Sequence, residues 1–116
     1  MDGARAQADA ADHLGDFWTE RHGLVRRLLR AADYANAYAV LRGHGQASVE
    51  NAVEAEFLAG FVALRFLRDP SGALRHFEAL SAASPAAITQ GRAWYWIGRA
   101  QAELGRDPAP AWRRAA

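Results

Sequence analysis

Cysteine is absent from the 116 residues, which excludes disulfides, thiol nucleophiles and thiolate metal sites and leaves the compartment open. Lysine is absent as well. All 14 basic residues are arginine, a bias that, with the abundant alanine, reflects a GC-rich genome rather than a function. A large excess of either charge is missing too: the net charge is +1, so no pull toward nucleic acid or an anionic membrane follows. Long apolar runs are lacking. The longest, Phe57 to Leu64, is stopped by Arg65, far short of the ~20 residues that cross a bilayer, and no membrane span is expected. The stretch Met1-Asp2-Gly3-Ala4-Arg5 has no apolar centre of the signal-peptide kind.

What is present is helical patterning. The hydrophobic fraction of 51% is ample for a core, but much of it is alanine, which suits close helix packing. Period-2 alternation is not seen, and apolar residues recur at helical spacing. A first helix is expected from Phe17 or Trp18 to Arg30, with Trp18, Val25, Leu28 and Leu29 inward and Glu20, Arg21, Arg26, Arg27 and Arg30 on the wet side. Asp33 marks a turn, Tyr34 to Arg42 forms a second helix, and Gly43-His44-Gly45 ends it. Ser48 is the N-cap of a third helix running to Phe66 or Leu67. Asp69-Pro70 breaks the chain and opens a fourth helix to about Leu80, with proline at its first position. Ser84-Pro85 repeats the device before a fifth helix ending near Gly105, and Asp107-Pro108 starts a sixth. Short connections make consecutive helices antiparallel.

The hairpins repeat. At an offset of 38, Gly60, Arg68, Asp69, Pro70, Ala73 and Arg75 fall on Gly98, Arg106, Asp107, Pro108, Ala111 and Arg113. At an offset of 36, Asp33, Ala37, Tyr38 and Leu41 fall on Asp69, Ala73, Leu74 and Phe77. A period in the mid-thirties predicts an all-α solenoid of about three antiparallel, tetratricopeptide-like helix hairpins, about six helices in all. The expected hairpins cover about 17–43, 48–81 and 85–116, within a partial superhelical domain at 16–116, after a poorly defined extension at 1–15. Gly60 and Gly98 sit in mid-helix, where glycine costs about 1 kcal/mol against alanine. Close approach of a paired helix, through Ala73 or Ala111, would compensate.

Chemistry-bearing patterns are sparse. His13, His22, His44 and His76 fall on different elements with no i, i+4 pair, so no metal site is expected. Glu50 and Glu54 share a solvated helix face, and Asp33, Asp69 and Asp107 are turn and cap residues. Phosphate loops, dinucleotide fingerprints and nucleophile elbows do not occur, so no catalytic or cofactor-binding residue is assigned, and Arg113-Arg114 beside Trp112 is too slight for nucleic acid. Trp94, Tyr95 and Trp96 form an aromatic cluster, but neighbours on a helix point about 100° apart, so the three cannot line one face. Arg65, Trp94, Trp96 and Arg99 are the candidate groove contacts, with the arginines suited to an anionic partner.

Several runs, in order and spacing, carry a family resemblance. Asp16-Phe17-Trp18-Thr19-Glu20-Arg21 is followed by Ala55-Glu56-Phe57-Leu58-Ala59-Gly60, then Ala63-Leu64-Arg65-Phe66-Leu67, Asp69-Pro70 and Arg92-Ala93-Trp94-Tyr95-Trp96-Ile97-Gly98-Arg99-Ala100. From about Asp16 onward this resembles the superhelical domain of bacterial soluble lytic murein transglycosylases, with Phe61 where the family pattern has Trp. The resemblance implies a non-catalytic segment of a periplasmic enzyme that cleaves peptidoglycan glycan strands to 1,6-anhydro ends. The acid–base Glu of that family lies in a separate lysozyme-like domain, whose Glu-Ser and Gly-Leu-Met-Gln motifs do not occur here. A secreted parent would carry its signal upstream of Met1; otherwise the location is cytoplasmic. A piece cut from mid-domain would leave apolar end faces and is expected to be marginally stable or to self-associate in isolation. The alternative is a stand-alone tetratricopeptide-like scaffold that binds a protein or peptide partner.

Overall fold

A computed structural model describes residues 14–46 and 48–116, with side chains from Trp18 onward. The described residues form six helices and no strand: α1 (Leu14–Arg30), α2 (Tyr34–Arg42), α3 (Val49–Arg65), α4 (Pro70–Ala83), α5 (Ala87–Glu103) and α6 (Ala109–Ala115). Each helix packs on its chain neighbour, and α3 also touches α5. The result is the predicted all-α, solenoid-like stack of helix hairpins. It is elongated, 47 × 31 × 22 Å, with a radius of gyration of 14.9 Å against about 13 Å for a compact chain of this size. Residues 1–13, which include His13 and most of the expected N-terminal extension, lie outside the described residues; α1 begins at Leu14, ahead of the expected Phe17.

Side-chain caps start three of the helices. Asp33 accepts from the Asn36 backbone N–H, Ser48 Oγ from Asn51 N–H at 3.1 Å, and Asp69 Oδ1 from Gly72 N–H at 3.0 Å, with Pro70 at the first helical position. Each cap satisfies a backbone donor that has no partner within its helix, worth about 1 kcal/mol. The Ser84-Pro85 expectation is corrected. Helix α4 runs on to Ala83, past the expected Leu80, and α5 begins at Ala87 with no side-chain cap. Ser84 Oγ instead accepts from Ala86 N–H at 3.2 Å, while Gln90 Nε2 reaches back to the carbonyls of Ser81 and Ser84, both at 2.7 Å. The turn is tied from inside the following helix.

Helices α1, α3 and α5 each hand over to the next through a left-handed residue, at Ala32 (φ 59°), Arg68 (φ 54°) and Gly105 (φ 75°). At the end of α1, Asp33 N–H donates to Leu28 O at 2.8 Å and Ala32 N–H to Leu29 O at 3.0 Å. After α5, Arg106 N–H donates to Gln101 O at 2.9 Å and Gly105 N–H to Ala102 O at 3.0 Å, the same Schellman pattern. Glycine adopts this conformation freely, whereas a residue with a Cβ pays about 1–2 kcal/mol. Ala32 and Arg68 therefore carry strain that Gly105 does not.

Two apolar clusters hold the stack, and α3 serves both. Its Ala55, Ala59 and Val62 join Trp18, Val25, Ala37 and Leu41 in one; its Ala63 joins Phe77, Leu80, Ala93 and Ile97 in the other. The mid-helix glycines do admit close approach, but not from the small residues expected. A Cβ on Gly60 would lie 2.5 Å from Phe77 Cε1, and one on Gly98 would collide with the indole of Trp112. A flat ring seated on a bare stretch of backbone buries more apolar area than an alanine methyl could, which explains why the partners are aromatic.

Candidate functional site

Two side-chain assemblies carry polar chemistry. The first converges on Glu56, which lies one and two helical turns before Gly60 and Ala63 on the inward side of α3. Its Oε1 is 2.9 Å from His76 Nδ1 on α4, and its Oε2 is 3.3 Å from His44 Nε2 in the α2–α3 loop. His76 Nε2 meets the Tyr38 hydroxyl of α2 at 2.8 Å. The Gln46 backbone N–H donates to His44 Nδ1 at 2.9 Å, so the His44 proton resides on Nε2 and is donated to the carboxylate. The loop that presents His44 is itself held. Arg21 of α1 donates to the carbonyls of Gly43 and His44 at 3.0 and 2.9 Å, and the buried Gln46 donates to the His44 carbonyl at 3.0 Å. Arg21, expected on the wet side, is thus a brace for the end of α2, where carbonyls lack intrahelical partners.

Burial pushes the Glu56 carboxyl up, but the hydrogen bonds from His44 and His76 outweigh it and hold the pKa at about 2. The order Tyr38–His76–Glu56 is that of a hydroxyl activated by an imidazole and oriented by a carboxylate. A carboxylate kept ionised has no proton to give a leaving group, so Glu56 is unsuited to general-acid catalysis of glycoside cleavage. What the assembly does is pin α2, the α2–α3 loop, α3 and α4 together through one carboxylate.

The second assembly is an arginine–aromatic face built by α3 and α5. Phe61 and Trp96 meet edge to face, with centroids 5.5 Å apart. The Arg65 guanidinium lies over Phe61 at 5.8 Å, and that of Arg99 over Trp96 at 5.3 Å and Tyr95 at 5.9 Å. Further along, Arg92 stacks on Phe57 at 4.3 Å. Beside these rings is a cleft of about 270 Å³ lined by Leu64, Arg65, Arg68, Pro70, Arg99 and Glu103. Among the described residues the ion pairs all involve histidine, so Arg65, Arg68 and Arg99 have no carboxylate partner.

Of the four candidate groove contacts, Arg65 and Arg99 come together in this cleft, and Trp96 packs beneath Arg99. Trp94 does not join them. It lines a separate depression of about 220 Å³ with Glu78, Ser81, Ala82 and Ile97, donates to Gln90 Oε1 at 3.2 Å and carries Arg114 over its ring at 3.8 Å. Sequence reasoning missed Arg68 and the whole Glu56 assembly. The available signal for Glu56 was a carboxylate in line with Gly60 and Ala63 on a buried face. Among the described residues no helix is long and apolar enough to cross a membrane. No family model, curated protein or solved structure matches the chain.

Proposed function

We propose that this chain is a non-catalytic superhelical segment of a peptidoglycan lytic transglycosylase, acting in the periplasm and offering glycan strands a surface while a lysozyme-like domain cleaves them. One observation carries the reading. The two longest runs that resemble that family occupy α3 and α5, the helices that supply Arg65 and Arg99 to the cleft and the Phe61–Trp96 ring pair next to those arginines. The exposed Tyr95 ring and the half-buried Phe61 and Trp96 rings beside guanidiniums suit a ligand with sugar faces and carboxylates. Retention of the purified chain on insoluble murein, without release of anhydro-muropeptides, is the expected result. Failure to sediment with murein would sink the reading. So would gene sequence flanking this segment that encodes no lysozyme-like domain.

A second reading is a stand-alone tetratricopeptide-like scaffold for a protein or peptide. The polar, arginine-lined cleft favours it, because guanidiniums without a carboxylate partner among the described residues match the carboxylates of an acidic peptide. Selection from a peptide library by a chain that ignores murein would distinguish the two.

A further inference from the structure

Arg68 occupies the left-handed position after α3, with φ 54°, and its side chain lines the cleft. The handover after α5 turns instead at Gly105, one residue nearer its helix end than Arg68, and glycine fits this conformation without strain. A strained residue kept where glycine would relax the backbone points to a use for its side chain. Arg65 and Arg99 border the same cleft, and Glu103 is its sole acidic liner. Neutralising a helix C-terminus explains Arg65, which lies in the last turn of α3. It does not explain Arg68, which lies beyond that helix, or Arg99, since α5 has no basic residue in its last turn. Arg99 donates one N–H to the Tyr95 hydroxyl at 3.1 Å, which leaves further donors on its guanidinium.

We infer that this cleft is a binding site for a doubly charged oxyanion, a phosphate or a paired carboxylate, held by Arg65, Arg68 and Arg99. Guanidinium forks match both groups in bidentate geometry, and the rings of Phe61, Tyr95 and Trp96 hold the forks of Arg65 and Arg99 in place. The cleft would serve such a ligand in a transglycosylase segment and in a free scaffold alike.

The test is a titration of the ¹⁵N-labelled chain with inorganic phosphate and, separately, with succinate, following the arginine Nε–Hε resonances at constant ionic strength. At least one anion should saturate in the low-millimolar range and shift the signals of Arg65, Arg68 and Arg99; which of the two does so identifies the chemistry. Arg65→Gln and Arg99→Gln should each weaken binding at least fivefold, and Arg113→Gln, outside the cleft, should leave it unchanged. Arg68→Gly is the sharpest variant, because glycine fits the left-handed backbone there: it should raise Tm by about 5 °C as strain is relieved, yet weaken binding at least threefold. Shifts no larger than those from sodium chloride would overturn the assignment. An Arg68→Gly variant that binds as tightly as the parent would remove Arg68 from the site.

Discussion

The second and third hairpins fill one structural slot with two chemistries. An offset of 38 residues carries Glu56 onto Trp94 and His76 onto Arg114. In the α3–α4 hairpin the slot holds a carboxylate and an imidazole at 2.9 Å; in the α5–α6 hairpin it holds an indole beneath a guanidinium at 3.8 Å. Both pairs bridge the helices of a hairpin. They differ in what they respond to, since the first loses its charge in acid and the second keeps its charge at every accessible pH. A repeat can therefore conserve a contact in space while exchanging its sensitivity.

Removing the carboxylate tests that contrast most strongly. Glu56→Ala leaves two half-buried imidazoles without their acceptor and should destabilise the chain by about 2 kcal/mol in urea unfolding at pH 7. The folded pKa of about 2 lies below the ordinary 4.5, so the folded state binds fewer protons than the unfolded chain in that interval. The Glu56 contribution is complete above about pH 4.5 and fades as the pH falls toward 2. Wild type should lose stability across that window more steeply than Glu56→Ala; parallel curves would show that the two slots do not differ in this respect.

The glycines set the same hairpins against each other. Phe77 is fully buried and has nowhere to go, whereas Trp112 is 41% exposed and can move outward at the cost of one hydrogen bond, from its indole N–H to Tyr95 O at 3.1 Å. Gly60→Ala should cost about 1.5 kcal/mol despite the gain in helix propensity, while Gly98→Ala should cost no more than about 0.5 kcal/mol, the lost indole hydrogen bond being offset by that gain. Equal losses in thermal melts would mean that the Trp112 ring is as firmly seated as Phe77.

Smaller effects are expected where the hairpins end or meet solvent. Ala32→Gly should stabilise by about 1 kcal/mol, bringing the first handover to the relaxed state that Gly105 gives the third. Arg114→Ala should cost about 0.5 kcal/mol, unchanged between pH 3 and pH 8, because it removes only an exposed cation–π contact. A clear pH dependence in that last variant would erase the distinction between the two slots.

Much of the architecture was legible from punctuation. Asp33, Ser48 and Asp69-Pro70 act where their chemistry placed them, because a cap is decided by neighbours three residues away. The glycine partners, the left-handed Ala32 and Arg68 and the brace from Arg21 were not legible. Each depends on how distant helices are rotated against one another, and neither residue at φ above 50° is the glycine that usually announces one. Glu56 and His76 lie 20 residues apart on separate helices, beyond any local spacing rule. Arg65 and Arg99 were suggested as anion contacts by residue type alone; that they share a cleft with Arg68 needed the register of α3 against α5.

The double allegiance of α3 has a consequence for cooperativity. In an ideal repeat array each unit exchanges its amide protons almost on its own schedule, with neighbours adding only a coupling term. Here Ala55, Ala59 and Val62 belong to one core and Ala63 to the other, so neither half can open without exposing part of the same helix. The central amides of α3 should therefore be the slowest to exchange in the molecule, and their opening should report the global transition rather than a local one.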